Sequence, residues 1–377
     1  MCYDEIHMNL FGGSKPTGYL GVDIGGSGIK VVELGQQKGR AVLWTYGYYE
    51  SRVGGNATSP LDDPKATGTL LASVCKKAGV KSNSVVTALP TSSLFSTIVA
   101  IQKTKDPKAF QASIQSHVSK LTPIPIQEMI IYSTQIDGKD DKGKQGMAKE
   151  DKGNQKIAQD GFVRVLVTGA AKTLIQKYIE IFKTAKLELK AIDTESFALV
   201  HSLIGKDPSA ILLVDIGSRR TNITIVEKGI PFVSRSINLG GESLTKRVME
   251  QMHLSQEEAE QVKRDLMTTT NSSSGVGALP PVLEAFVQPL IHEIRFALQL
   301  YSTMELTEMK RVEKIIVTGG SAHLPQIPEY LASTLNINAY RGDPWARVLY
   351  PQDLRSVLED VGPRLSVAIG LAMRDLE

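Results

Sequence analysis

Asp23 and Asp215 stand at matching places in the chain, each near the end of an apolar run and each followed by a glycine-containing turn. In Gly21-Val22-Asp23-Ile24-Gly25-Gly26-Ser27-Gly28-Ile29-Lys30 the flanking runs 19–24 and 29–34 are apolar and β-prone, and small residues join them. Glycine at such a turn leaves backbone N–H groups open to an anion, usually a phosphate. Asp23 is placed to hold a divalent cation through water. Lys30 brings a positive charge back over the same turn. Taken alone, the stretch also reads as an ordinary hairpin.

A second copy changes the balance. Val214-Asp215-Ile216-Gly217-Ser218-Arg219-Arg220-Thr221-Asn222-Ile223-Thr224-Ile225-Val226-Glu227 repeats residues 22–33: an apolar run into Val-Asp-Ile-Gly, a short polar turn, and a β-branched strand ending in Glu. Two such units far apart point to a duplication. Facing each other, they would clamp one nucleotide.

With Val317-Thr318-Gly319-Gly320-Ser321, this pair of turns resembles the actin-like ATPase superfamily. Within it the chain resembles the PilM family, cytoplasmic actin-like proteins of type IV pilus assembly related to the cell-division protein FtsA. The resemblance spans 19–376 and leans also on a region inserted after residue 91 and on the ending Ser366-Val367-Ala368-Ile369-Gly370-Leu371-Ala372. It implies an α/β, actin-like (ribonuclease H-like, duplicated) two-lobe ATPase fold with an inserted α+β subdomain. It implies ATP or ADP with Mg2+ in the cleft. The implied partner is the N-terminal cytoplasmic peptide of a PilN-like inner-membrane protein, with other pilus subcomplex and motor components behind it.

Carried onto this chain, the resemblance puts Asp23 and Asp215 at the metal. Gly25, Gly26, Ser27, Gly28 and Lys30 hold one side of the phosphates; Gly217, Ser218 and Thr221 hold the other. Gly241, where a later helix opens, joins the nucleotide set, and Gly319, Gly320 and Ser321 lie under the adenosine. Heat-shock chaperone ATPases and bacterial actins grip ribose and adenine with a Glu-x-x-Lys helix, which implies Glu260, Lys263 and Arg264 here. The same residues also read as routine ion pairs on an exposed helix. Glu195 matches the water-positioning acid of bacterial actins, and also reads as a first-turn acid stabilising a helix N-terminus. Arg219 and Arg220 depart from the family's small residues: they crowd the phosphates or clamp the γ-phosphate. Hydrolysis is expected to be slow at most. Two other readings remain. A sugar or small-molecule kinase of this superfold would need a catalytic Asp loop, which is not evident. An FtsA-like division protein would need an amphipathic membrane tail, which a chain ending Asp375-Leu376-Glu377 lacks.

A net charge of +3 over 377 residues makes no case for nucleic acid or a membrane surface. Cys2 and Cys75 carry no metal-site spacing, so a reducing compartment is the default. No signal peptide is evident, and no apolar run approaches the roughly 18 residues of a membrane span. The expected location is cytoplasmic, peripheral to the inner membrane through the partner, without direct membrane insertion.

The elements expected to position these residues follow from periodicity and caps. Strands are expected at 19–24, 29–34, 41–50, 84–89, 97–102, 129–135, 162–168, 187–192, 230–239 and 314–317. Helices are expected at 64–78, 106–121, 172–185, 194–204, 282–304, 325–335 and 364–376. Two more open at Gly241, with Leu244, Val248 and Met252 inward, and at the Ser255/Glu258 capping box. The expected division is a lead-in at 1–18, lobe 1 from 19–91, 187–208 and 362–377, an inserted subdomain at 92–186 with a mobile loop at 137–160, and lobe 2 at 209–361. A partner groove is expected around Ile98, Ala100, Ile130 and Tyr132.

Overall fold

Two apolar central strands organise the chain. The computed structural model describes residues 18–26, 28–50, 59–136, 161–268 and 279–376. The first half holds β1 (Tyr19–Gly25), β2 (Gly28–Gln37), β3 (Arg40–Glu50), α1 (Pro64–Ala78), β4 (Ser84–Leu89), β5 (Leu94–Gln102), α2 (Pro107–Val118), β6 (Met129–Gln135), β7 (Phe162–Ala171), α3 (Lys172–Thr184), β8 (Glu188–Thr194) and α4 (Glu195–Leu199). The second holds β9 (Ile211–Ile216), β10 (Thr221–Glu227), β11 (Ile230–Ile237), α5 (Gly241–Met252), α6 (Gln256–Thr268), α7 (Pro281–Thr303), β12 (Lys314–Thr318), α8 (Ile327–Leu335), β13 (Asn338–Arg341), β14 (Val348–Leu349) and α9 (Arg355–Met373).

The duplication is visible in the topology. One sheet runs β14-β3-β2-β1-β4-β8 and another β11-β10-β9-β12-β13. β1 is antiparallel to β2 and parallel to β4; β9 is antiparallel to β10 and parallel to β12. The outer pairs match too: β2–β3 and β10–β11 are antiparallel, β4–β8 and β12–β13 parallel. The terminal Glu of each repeat has the same job. Glu33 accepts Lys81 N (3.0 Å) and Ser82 N (2.7 Å) ahead of β4. Glu227 accepts Glu308 N (3.1 Å) and Met309 N (3.3 Å) ahead of β12, and the Tyr301 hydroxyl. Both carboxylates are 1% exposed, so each ties its hairpin to the loop feeding the neighbouring parallel strand.

Alternation along the strands sends each residue set to a separate core. Leu20, Val22 and Ile24 pack with Leu71 of α1 and Tyr178, Ile181 and Phe182 of α3. On β9, Leu212, Val214 and Ile216 join Leu244 of α5 and the apolar face of α7, while Ile211 and Leu213 face α4 and α9. Helix α9 touches both large sheets. Its Leu365, Ala368 and Ile369 pack on Val32 and Leu34, and its Val367 and Leu371 on Val86, Leu213 and Ile316. A small sheet ordered β5-β7-β6 carries α2 on one face, through Val99, Val165, Ile114 and Val118.

Most expected elements form where their caps and periodicity put them. Helix α1 opens with Asp63 accepting Ala66 N at 2.9 Å and closes on left-handed Gly79. The Ser255/Glu258 box is made on both sides, Ser255 N to Glu258 Oε2 at 2.8 Å and Glu258 N to Ser255 Oγ at 3.4 Å.

Four details differ. Helix α9 starts at Arg355 and runs through Pro363. Buried Leu358, Val361 and Leu365 hold its first half against Trp345, whose Nε1 donates to Leu358 O at 2.8 Å, so packing outweighs the proline. The short strands β13 and β14 carry no periodic signal. Met252 is 56% exposed, because α5 buries only Leu244, Thr245 and Val248 behind its glycine start. Ile98 does not line an open groove: with Leu166 it is buried in the core around β9 and α7, whereas Ile130 and Tyr132 are exposed. The lead-in up to residue 17 and the loop at 137–160 lie outside the described residues.

Candidate functional site

The first turn joins β1 to β2, with Gly25 opposite Gly28 and Asp23 directly opposite Lys30. That register lets Lys30 Nζ donate to Asp23 Oδ2 at 2.9 Å, and Asp23 is only 7% exposed. A Cβ on Gly25 would stand 3.1 Å from Lys30 Nζ. Gly28 answers to its neighbour strand: at φ +156°, a Cβ there would fall 1.8 Å from Tyr49 O. Ser27 lies outside the described residues.

The second turn is stapled to the start of α5. Gly217 N donates to Arg220 O, and Gly241 N donates to Gly217 O, both at 2.9 Å. Glu242 N donates to Ser218 O at 2.8 Å. Thr221 sits deeper than a phosphate ligand would. It is fully buried and its hydroxyl donates to Leu239 O at 2.6 Å, so it braces the hairpin.

The third glycine loop meets the second aspartate. Gly319 has φ +92°, and a Cβ there would come 2.4 Å from Asp215 Oδ1. Gly320 faces open space, and Ser321 Oγ is 2.9 Å from where a Gly241 Cβ would sit. Lys263 turns into this corner. It is 7% exposed and donates to Glu260 Oε2 (2.6 Å), Thr245 Oγ1 (3.0 Å) and Gly241 O (3.3 Å). The Glu260/Lys263 pair is thus no exposed ion pair but part of the wall behind Gly241. Arg264 points away: it is largely exposed, 3.7 Å from Glu260 Oε1.

Glu195 is more than a helix-terminal acid. Thr194 caps α4 by accepting Phe197 N at 3.2 Å, which frees the Glu195 carboxylate to reach across the cleft. Its Oε2 accepts Thr91 N (2.8 Å) and Asn222 Nδ2 (3.0 Å), joining the ends of β4 and β10. Burial, then the Asp23 charge, pushes its pKa up to about 7. Burial and Asp23 also push Asp215 up to about 6, with Lys30 pulling the other way. For Lys30, burial opposes the charge, but Asp23, Asp215 and Glu50 outweigh it and raise the pKa. Both raised carboxyls hold protons in the folded chain that the unfolded chain has released. Their stability contribution is therefore full below about pH 4 and is lost as pH rises through about 6 and 7.

A family model described as type IV pilus assembly protein PilM matches residues 21–376. The chain belongs to the PilM family. A solved structure titled PilM-PilN type IV pilus biogenesis complex superposes with TM-score 0.75 at 21% identity, covering 95% of this chain and 98% of that one. The ethanolamine utilization protein EutJ from Carboxydothermus hydrogenoformans superposes with TM-score 0.51 at 16% identity, over 95% and 90% of the two chains. These likenesses speak to the fold, which is the duplicated two-lobe actin-like one. The cell-division protein FtsA of Bacillus subtilis (strain 168) is 33% identical over 103 residues, 27% of this chain and 23% of that relative. The chain thus aligns with under a quarter of that relative's length.

In this PilM-family chain, several site neighbours have no place in the motif reading. Asn222 and Thr91 hold Glu195, and Glu242 pairs with Arg219, Nε to Oε1 at 3.1 Å. Arg220 donates through Nη1 to Ser92 Oγ across the cleft and through Nε to Asn238 Oδ1 at 3.2 Å. One signal for Asn222 was available. Pairing back from Asp23 across its turn lands on Lys30, and the same count from Asp215 lands on Asn222.

Proposed function

We propose that the chain is a cytoplasmic, nucleotide-dependent adaptor of type IV pilus assembly. It binds ATP or ADP with Mg2+ in the cleft and grips the N-terminal cytoplasmic segment of a PilN-like inner-membrane protein, coupling that complex to the motor. The family match over 21–376 carries the reading, and the name of the PilM-PilN complex supports the choice of partner. The division into lobe 1, lobe 2 and an inserted subdomain remains our reading. The packing of α3 with α1 and β1 favours ending the insert near residue 171, ahead of α3.

The residues fit a magnesium nucleotide. The Asp23 charge raises the cost of charging Asp215, and Lys30 is set against Asp23, so the two carboxylates suit a hydrated divalent cation. Gly25 and Gly319 stand where a side chain would strike Lys30 or Asp215. Gly26 and Ser218 offer backbone N–H groups to the phosphates, whereas the Gly217 N–H is already given to Arg220 O, so Gly217 shapes the turn instead. Gly241, Ser321, Glu260 and Lys263 form the wall for the nucleoside. The bound ion supplies positive charge that offsets carboxylates and phosphates. Glu195, held by Thr91 and Asn222, would orient a water, and turnover is at most slow. Among the described residues no helix is long and apolar enough to cross a membrane.

Fluorescence titration with a labelled peptide copying the partner's cytoplasmic N-terminus, with and without Mg2+-ATP, tests the function. Saturable binding that unlabelled peptide displaces is expected; no binding in either state would overturn the adaptor reading. A second expectation concerns pH. Mg2+ should raise the melting temperature more at pH 8 than at pH 6, since at pH 6 Asp215 is only about half charged and Glu195 is mostly protonated, while both are charged at pH 8. An increment that does not depend on pH would remove Asp215 from the metal site.

A further inference from the structure

The chain threads the insert into lobe 1, since β7 leads directly into α3 on α1. Packing fastens the same insert to lobe 2. Along β7, Arg164, Leu166, Thr168 and Ala170 alternate onto one face of the small sheet, while Val163, Val165 and Val167 meet α2 on the other. On the first face Leu166 is buried with Ile98 in the core around β9 and α7, and Ala170 is buried in the core of β1, α1 and α3. About 13 Å of strand therefore separates an anchor in each lobe. Tyr132 and Ile130 of β6, both exposed, stand opposite Thr168 and Ala170, so the open part of this face borders that span.

The lobe 2 end is clasped as well as packed. Arg164 donates through Nη1 to Leu306 O at 2.8 Å and through Nη2 to Glu308 Oε1 at 3.0 Å. Its side chain is 12% exposed, so the ion pair is poorly screened. Glu308 is held in turn from lobe 2: its Oε2 accepts Lys228 Nζ, and its N donates to Glu227. Glu227 ends β10, and Asn222, at the cleft end of the same strand, carries the bond to Glu195. One regular strand thus joins the cleft to the clasp, and a second joins the clasp to the face of Ile130 and Tyr132.

We propose that the insert is a bridge between the lobes, and that the Arg164–Glu308 clasp couples nucleotide in the cleft to peptide affinity at Ile130 and Tyr132. This rests on the adaptor reading above and on the division into lobes used there. When the lobes rotate against each other, β7 is held at both ends and its sheet shifts with them. Without the clasp, the lobe 2 end slips and the open face stays indifferent to the cleft. The coupling is reciprocal, so bound peptide changes nucleotide affinity by the same factor.

Fluorescence titration of the full chain with the labelled partner peptide, without nucleotide and saturated with Mg2+-AMPPNP, tests this. The two peptide affinities of the unaltered chain are expected to differ about fivefold or more, the low end of typical couplings. Arg164→Met keeps the stem and loses the clasp; it should bring the ratio below about twofold while AMPPNP affinity, measured alone by calorimetry, stays unchanged. Glu308→Ala opens the clasp from the lobe 2 side and should lower the ratio too, which decides the matter if Arg164→Met does not fold. A folded variant of either kind that keeps the full ratio would overturn the proposal, as would equal peptide affinities in an unaltered chain that binds AMPPNP. If the unaltered chain binds no peptide, or calorimetry shows no uptake of AMPPNP, the reading above falls, and this proposal with it.

Discussion

Gly370→Ala should cost about 3 kcal/mol or more, the upper range for overpacking a core. A glycine in a helix ordinarily gains about 1 kcal/mol on becoming alanine. Here the sign reverses, because a Cβ on Gly370 would fall 1.7 Å from the carbonyl oxygen of Ala198 in α4. That neighbour is backbone and cannot rotate away. The opposite side of α9 is as tight: a Cβ on Gly21 of β1 would fall 2.1 Å from Ala368 O and 2.7 Å from Ala372 N. So α9 is held between β1 and α4 at backbone distance. Urea unfolding checks the expectation, and a midpoint for Gly370→Ala at or above that of the unaltered chain would contradict this packing. Because α4 carries Glu195, any turnover that the proposed nucleotide site supports should also change in a folded Gly370→Ala protein.

Glu227→Ala comes next, at about 4 kcal/mol. Glu227 is 1% exposed and accepts Glu308 N, Met309 N and the Tyr301 hydroxyl. Truncation orphans the buried Tyr301 hydroxyl and two part-buried backbone N–H groups, each costing about 1–3 kcal/mol with partial relief by relaxation and water. Glu33→Ala should cost a similar amount, since it orphans Lys81 N, Ser82 N and the Ser82 hydroxyl. Glu227→Gln keeps an acceptor oxygen and should cost clearly less than Ala. Equal losses for Gln and Ala would mean that the charge, not the accepted hydrogen bonds, carries the effect. Denaturant melts of the three variants decide this.

Much of this architecture was legible because it is written locally. Asp63-Pro64 and Gly79 bound α1 by their own backbone preferences, and the apolar runs around Asp23 and Asp215 announce buried central strands. The repeat led to the duplicated sheets, and the turns, Gly319 and Lys263 gather where a shared site requires. The features that local sequence does not show depend on distant partners. Pro363 reads as a helix start, and only burial against Trp345 and β2 extends α9 back to Arg355. Thr221 reads as a phosphate ligand, yet Leu239 O, eighteen residues on, claims its hydroxyl. Ile98 reads as surface because nothing near it in sequence reveals the core around β9. Arg264 and Lys263 are adjacent, and only the position of Gly241 sends one in and the other out.

Helix α9 has a mechanical consequence. Its side chains are shared between the two large sheets, and Gly319 N donates to Pro363 O at 3.0 Å, so each lobe is fastened to the same rod. Relative motion of the lobes is then restricted to rotation about an axle close to α9, where displacement is smallest. The Gly319 loop beside Asp215 hangs on that axle, so a few degrees of rotation would leave it almost in place.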